Sequence, residues 1–317
     1  MQDVARLAKV AVGTVSNVLN QPELVAEKTR EKVQAAITEL GFVRNDAARQ
    51  LRAGQSRSIG LIVPDVRNPF FTDVARGAED AAAEQNLSVL LANSDQNLER
   101  EQSMLGLFEE QRVRGVLASP SSDNFEYLKQ AKDRGLHIVL VDRTERGFSS
   151  VSVDDGAGGY LAVKHLLDTG RKNIAFVGGP LNVQQIADRL NGAMKAIAEN
   201  GTASLDVIET KNLSVQAGRE IGTQLKKFDA VFAANDLLAI GVMQACMVDG
   251  NINIPSDLAL IGYDDIDFAS AAIVPLTSVR QPSAEIGRAA IELLSDSEIR
   301  NIEFQPELIV RASTANK

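Results

Sequence analysis

Polar residues able to do chemistry follow short apolar runs at intervals along the chain. They are Asn68 with Phe70 and Phe71, Asp142-Arg143, Asp154, Asp155, Arg189, Asn235-Asp236, Asp264-Asp265 and Gln281. Carboxylates accept hydroxyl protons, arginine donates from a fixed fork, and an aromatic ring covers an apolar face. A small polyol, with hydroxyl pairs on a ring with C–H faces, suits this mixture better than a flat apolar ligand. Each residue also has a duller reading. Asp155, Asp236 and Asp265 can cap helices, and Arg143 and Arg189 can form structural ion pairs. Phe71 reads as core and Phe70 as facing a ligand, since neighbours in an extended stretch point oppositely. The joint placement of the set at the carboxyl ends of candidate strands lifts it above its members.

The elements that must position these residues begin near Ser58. Ile59-Gly-Leu-Ile-Val63, Leu87-Ser-Val-Leu-Leu-Ala92, Gly115-Val-Leu-Ala118 and His137-Ile-Val-Leu-Val141 are continuous apolar runs, with amphipathic stretches over 71–85, 97–111 and 124–134 between them. Alternating strands and helices with apolar strands indicate a parallel sheet covered on both faces. A second set follows: a helix to Thr169, then strands 173–177, 205–209, 229–233 and 258–262, with helices 184–200, 214–226 and 236–248. Strand 276–279, helix 282–294 and strand 308–310 complete the chain. The expected body is thus two similar doubly wound lobes with a ligand between their carboxyl edges.

A dinucleotide enzyme is the obvious rival. No G-x-G-x-x-G follows the first strand, where Pro64-Asp-Val-Arg-Asn-Pro-Phe-Phe71 stands, and Gly178-Gly179-Pro180 is only a short turn. Neither a P-loop nor G-x-S-x-G is present. A glycosidase using Asp142 and Asp264 lacks any base and nucleophile constellation, so no enzyme and no cofactor are expected.

The first twenty residues have another period. Val4, Leu7 and Ala8, and again Val15, Val18 and Leu19, fall at i, i+3, i+4, giving two short helices joined by a turn at 9–11. This is the pattern of a helix-turn-helix, whose second helix enters the major groove. A third helix over 29–40 adds Val33, Ile37 and Leu40 to a small core, and Gly41 ends it. Asn45 can cap a further helix running to Arg52, before a Gly54-Gln55-Ser56 linker. Small Ala47 and Ala48 let two such helices lie close, and Leu51 can wedge a base step.

Several motifs together, Asp3-Val-Ala, Thr14-Val-Ser, Val18-Leu-Asn20, Thr29-Arg-Glu-Lys-Val33, Ala47-Ala-Arg-Gln-Leu51 and Ile59-Gly-Leu61, resemble the LacI/GalR family of bacterial transcription regulators over essentially the whole chain. The resemblance implies a homodimer on palindromic operator DNA and a periplasmic-binding-protein-like body with three connections between lobes. It gives a headpiece over 1–44, a hinge helix and linker over 45–57, and an effector-binding and dimerisation domain over 58–317. The lobes are expected at about 58–155 with 281–302, and about 156–280 with 303–317.

Position on the recognition helix makes Val12, Gly13 and Asn17 the candidate base readers, Asn17 able to pair with adenine or with a phosphate, and places Thr14, Ser16 and Asn20 on phosphates. The resemblance adds Leu51 and Arg52 in the minor groove. It also matches Asn68, Phe70, Asp142, Arg143, Arg189, Asn235, Asp264 and Gln281 to the positions that hold pentose in ribose repressors and ribose-binding proteins. Ile261-Gly-Tyr-Asp-Asp-Ile266 and Pro275-Leu-Thr277 are typical of the family. The expected effector is ribose or a related pentose, with a nucleoside- or purine-responsive regulator as the alternative.

Departures from the family pattern also matter. Lys9 stands where Gly is usual, and Ala11 and Ala26 stand where Ser is usual. Lost caps cost about 1 kcal/mol each, and Lys9 is forced toward a strained backbone region, so a loosely folded headpiece is expected without DNA. Leu213 replaces an expected aromatic residue near the cleft.

Composition agrees with this organisation. The chain has 317 residues, 44% hydrophobic and 24% charged, as in soluble globular proteins. The first 57 residues carry 9 Lys and Arg against 6 Asp and Glu, a net +3 within a total of −9, so the remaining body is −12. A basic first segment seeks phosphate and an acidic body does not. One cysteine excludes an internal disulfide, and 2 His exclude a His-rich metal site. No apolar run approaches a membrane span and no export signal is read at the start, which favours a cytoplasmic protein over a sugar-binding transport protein. No heptad tail follows Val310, so no coiled-coil tetramer is expected.

Overall fold

The computed structural model describes residues 1–42 and 56–315, which fall in two units, Met1–Gln55 and Ser56–Lys317. In the first unit, α1 (Gln2–Ala8), α2 (Val12–Asn20) and α3 (Glu27–Glu39) close around Val4, Ala5, Ala8, Val15, Val18, Val33 and Ala36. Leu7 and Leu40, expected in this core, are largely exposed. The stripe on α1 is Val4, Ala5 and Ala8, turned by one residue from the expected one, and Ala36 with Ile37 does on α3 what Leu40 was expected to do. On helices this short, i, i+3, i+4 spacing admits either stripe.

The turn between α1 and α2 carries Lys9 at φ 55° and ψ 47°, a left-handed conformation that suits Gly better than Lys. Ala11 and Ala26 occupy the N-cap positions of α2 and α3 with no side-chain hydrogen bond. The hinge helix expected from 45 to 52, with Leu51 and Arg52, lies outside the described residues.

The body follows the alternation of its apolar runs. Its first lobe contains β1 (Ser58–Val63), α4 (Pro69–Glu84), β2 (Ser88–Asn93), α5 (Leu98–Glu110), β3 (Val116–Ala118), α6 (Glu126–Asp133), β4 (Ile138–Val141) and β5 (Ser149–Val153). The second contains α7 (Asp155–Asp168), β6 (Asn173–Gly178), α8 (Gln184–Asn200), β7 (Ser204–Glu209), α9 (Val215–Ile221), β8 (Ala230–Ala233), α10 (Asp236–Gln244), β9 (Ala259–Asp264), α11 (Asp267–Ala271) and β10 (Thr277–Arg280). Next come α12 (Ser283–Leu294), β11 (Asn301–Phe304) and β12 (Glu307–Ile309).

One sheet runs β11-β5-β4-β3-β1-β2 and the other β12-β10-β9-β8-β6-β7. All strand pairs are parallel except β10 with β12. The chain therefore crosses between lobes after β5, after β10 and after β11. Two strands escape the periodicity reading: β5 is serine-rich, and β11 is only four residues of mixed polarity.

Each sheet is covered on both faces. Ile59, Leu61 and Val63 of β1 meet α4 and α12 on one side, while Ile62 meets Leu105, Phe108 and Leu128 on the other. The second sheet buries Val231 and Leu260 toward α9 and α10, and Phe176, Phe232 and Ile261 toward α7 and α8. A close approach of α7 and α8 rests on paired glycines. A Cβ on Gly159 would lie 1.9 Å from the carbonyl oxygen of Arg189, and one on Gly192 would lie 1.9 Å from that of Gly156. This contact fixes the backbone from which Arg189 projects.

Candidate functional site

Residues at the carboxyl ends of both sheets line one cavity of about 100 Å³. The first lobe contributes Pro64, Asn68, Phe70, Phe71, Gln96, Ser119 to Ser121 and Asp142; the second contributes Gly179, Pro180, Val183, Gln185, Ile186, Arg189, Leu213, Asn235 and Asp264, with Gln281 at a crossover.

Local chemistry sets each side chain. Asn68 caps α4 by accepting from the Phe70 amide at 3.1 Å, which leaves its own amide free to donate to Asp264 Oδ2 at 3.0 Å. Gln281 donates to the other Asp264 oxygen at 2.8 Å. Asp142 follows β4 with φ 58°, in the left-handed region that Asp tolerates better than most residues. Gln185, in the first turn of α8, donates to the Asp142 backbone oxygen at 2.5 Å and to its Oδ2 at 3.0 Å. One turn further on, Arg189 donates to Asp155 Oδ1 and to the Ala234 carbonyl, both at 2.7 Å, with its guanidinium 3.7 Å from the centre of the Tyr263 ring. Asn235 caps α10 through the Leu238 amide at 2.9 Å.

The site gathers buried ionisable groups, Asp142, Arg189 and Asp264. Burial, reinforced by nearby Asp155, pushes the Asp142 carboxyl up to about 7. Burial pushes Asp264 up to about 6, partly opposed by Arg189 and by the Asn68 and Gln281 hydrogen bonds. Burial works against the Arg189 charge, but Asp155, Tyr263 and Asp264 outweigh it and hold the guanidinium above its ordinary value. Asp142 Oδ1, Gln185 Oε1 and Gln281 Oε1 are buried with no hydrogen-bond partner among the described residues. Unsatisfied buried polar atoms cost about 1–3 kcal/mol each, and these three are acceptors, so a ligand that donates hydrogen bonds to them gains by filling the cavity.

Seven of the eight residues assigned to an effector from sequence border this cavity: Asn68, Phe70, Asp142, Arg189, Asn235, Asp264 and Gln281. Arg143 does not. Its buried side chain turns to an ion pair with Asp123 and lies 5.5 Å from the Phe125 ring centre. The phenylalanine assignment is reversed in part. Phe70 is buried in the core and Phe71 is half-buried, though both touch the cavity. The pair begins a helix rather than extending a strand, so the two rings do not point oppositely.

The remaining acids serve the scaffold. Asp154 caps α7 by accepting from Ala157 at 2.8 Å. Asp155 is the buried partner of Arg189, not a cap. Asp236 is bonded to Ser278 and the Ile266 amide, and Asp265 pairs with Arg280 and Arg311. Gln185 was missed from sequence; its spacing of four from Arg189 on one helix was the available signal.

In the headpiece, α2 presents Val12, Gly13, Asn17 and Asn20 to solvent, with Thr14 and Ser16 half-buried and Val15 and Val18 in the core. Asn20 also donates to the Ser16 backbone oxygen at 2.8 Å. A row of small and amide side chains on the open face of the second of two short helices is the geometry of a major-groove reader.

Comparison with known proteins agrees with both units. Residues 1–45 match the family described as bacterial regulatory proteins, lacI family, and residues 163–314 match the periplasmic binding protein-like domain. The ribose operon repressor of Bacillus subtilis (strain 168) is 35% identical over 298 residues, covering 93% of this chain and 90% of that one. The chain belongs to the LacI family.

The HTH-type transcriptional repressor PurR of Vibrio campbellii (strain ATCC BAA-1116) is similarly close, 34% identical over 98% of this chain and 97% of its own. Among solved structures, the lac repressor dimer bound to operator and the anti-inducer ONPF matches with a TM-score of 0.86 and 26% identity, over 99% of this chain and 98% of that one. A LacI-family regulator from Enterococcus faecium with bound ribose matches with a TM-score of 0.75 and 30% identity, over 81% of this chain and 98% of that one. This LacI-family member is a DNA-binding transcriptional regulator. None of its helices, among the described residues, is long and apolar enough to cross a membrane.

Proposed function

We propose that the protein is a homodimeric repressor whose hold on a palindromic operator is set by a small polyol in the interlobe cavity, with ribose or a related pentose as the effector. The observation that carries this reading is the pair of buried carboxylates, Asp142 and Asp264, each bridged to the opposite lobe by an amide and surrounded by unsatisfied polar atoms. Hydroxyl pairs satisfy such atoms. The ribose named in one relative and bound in one structural neighbour points the same way.

In this reading Val12, Gly13, Asn17 and their neighbours read half-sites, and Leu51 and Arg52 engage the minor groove between them. Residues 58–317 dimerise and bind the effector, and the protein works in the cytoplasm on the nucleoid without catalysis. Effector binding favours one lobe angle, which changes the spacing of the two readers, and operator binding must shift effector affinity by the same factor.

Operator affinity measured at fixed salt with and without a panel of pentoses, hexoses, nucleosides and purine bases tests the proposal. A shift confined to a sugar is the expected result. A shift with purines alone replaces the effector, and no shift with any compound removes the switch.

A further inference from the structure

Asp264, the second-lobe acid of the cavity, ends β9 with φ 102°, and Asp265 follows it with φ 55°. Consecutive residues other than glycine in left-handed backbone persist where their surroundings over-determine them. Asp265 does not line the cavity that Asp264 lines, yet bonds on and around it hold this corner. Its amide donates to Ser278 Oγ at 3.1 Å, and Ser278 in turn donates to Asp236 Oδ1 at 2.6 Å. The next amide, of Ile266, donates to Asp236 Oδ2 at 2.9 Å.

The Asp265 carboxylate is buried and gripped by two arginines. Arg280 donates to its Oδ2 at 2.8 Å. Arg311 donates to its Oδ1 at 2.5 Å and to the Leu276 carbonyl at 2.8 Å. The two arginines stand at different passages of the chain between the lobes. Arg280 ends β10, immediately before Gln281 and the passage to α12. Arg311 lies two residues beyond β12, the strand that receives the passage from β11. Arg280 also lies 3.6 Å from Glu307, the first residue of β12. Two of the three passages therefore meet at one carboxylate, next in the chain to the acid that faces the cavity. Hinges are element-terminal residues that absorb backbone rotation, and Arg280 and Glu307 occupy such places.

We infer that Asp265 is a positioning residue, which aims the Asp264 carboxylate at the effector and, through Arg280 and Arg311, ties that aim to two of the passages about which the lobes close. The inference rests on the sugar-effector reading above and extends it to a residue outside the cavity. Binding groups must be held within about 0.5 Å of their productive place. A corner deprived of its anchors is free to relax from its strained backbone, and the carboxylate it carries moves with it.

The test uses the full-length protein, titrated by calorimetry with ribose, xylose and glucose. Amide hydrogen exchange is read over 277–283 and 305–312, with and without saturating sugar, well below each variant's thermal midpoint. In the wild type, the bound sugar is expected to slow exchange in both segments. Asp265→Asn is expected to weaken sugar binding by about tenfold or more and to abolish that slowing at saturation. Arg311→Met is expected to lose affinity in the same direction, and Arg311→Lys to recover part of it. A lowered thermal midpoint with sugar affinity and sugar-linked slowing both unchanged makes the cluster a stability device and overturns the inference. Should Asp265→Asn fail to fold, Arg280→Met decides, because that side chain is half exposed: unchanged affinity and unchanged slowing overturn the inference, and a loss of both upholds it. A wild type that binds none of the sugars removes the effector reading and this inference with it, an outcome distinct from variants that bind as the wild type does.

Discussion

Asn68 of the first lobe donates to Asp264 of the second at 3.0 Å, and Gln185 of the second lobe donates to Asp142 of the first at the same distance. Both carboxylates lie at the ends of corresponding strands, β4 and β9, and both have positive φ, 58° and 102°. Each lobe thus presents one acid at the same point of the same design and reaches across with one amide. Such strained positions persist where the surroundings over-determine them, here through bonds to the opposite lobe.

Removing the Asn68 amide should loosen this closure. Asn68→Ala deprives buried Asp264 of one of its two amide donors, at about 1–3 kcal/mol, and also removes the cap of α4, at about 1 kcal/mol. Thermal unfolding should show a lower midpoint, and effector affinity should fall with it. Asn68→Ser retains a capping side chain and should recover the stability loss more than the affinity loss. Equal recovery of both would argue against an interlobe role.

The pH dependence should carry the signature of Asp142. Its carboxyl is raised from an ordinary 3.8 to about 7, so between those values the folded protein keeps a proton that the unfolded chain has released. Its contribution is complete below about pH 4 and is lost as pH rises through about 7. Asp142→Asn removes this dependence while keeping an acceptor for Gln185. The stability of wild type relative to the variant should therefore decline from pH 5 to pH 8. A constant difference across that range would contradict the raised value.

The headpiece should be improvable at its bare helix starts. Ala26→Ser should supply the missing cap of α3 and stabilise the unit by about 0.5–2 kcal/mol. Lys9→Gly should relieve the left-handed residue by about 1 kcal/mol. Amide exchange of the full-length protein, read at residues of α2 and α3, should slow in each variant. No slowing in the double variant would mean that the caps and the turn do not limit headpiece stability.

Base reading should reside in the exposed face of α2. Asn17→Ala should weaken operator binding by about 1–3 kcal/mol if Asn17 pairs with a base, and should relax selectivity at one operator position. Salt dependence should change little, because that slope counts neutralised phosphates. Uniform weakening across operator variants would instead place Asn17 on the backbone.

Much of this was legible in order along the chain. The two periods of apolar residues separate a helical headpiece from two doubly wound lobes, because helix and strand burial repeat at different spacings. The polar strand ends mark the cleft, because carboxyl edges of parallel sheets gather loops. Lys9, Ala11 and Ala26 disclosed their weaknesses by residue type alone, since backbone strain and missing caps are local properties.

Tertiary structure decided what local spacing leaves open. Whether Leu7 or Ala5 faces the core depends on how α1 is rotated against α2 and α3. Whether Arg143 reaches the cavity depends on Asp123 and Phe125, about twenty residues earlier, which hold its guanidinium by an ion pair and a ring contact. Gln185 became visible only when α8 was laid against Asp142 from the other lobe. Residue type and period fix which side chains can bind, because they act over a few residues. Which of them meet depends on contacts between segments far apart in the chain, and those exist only once the lobes are packed.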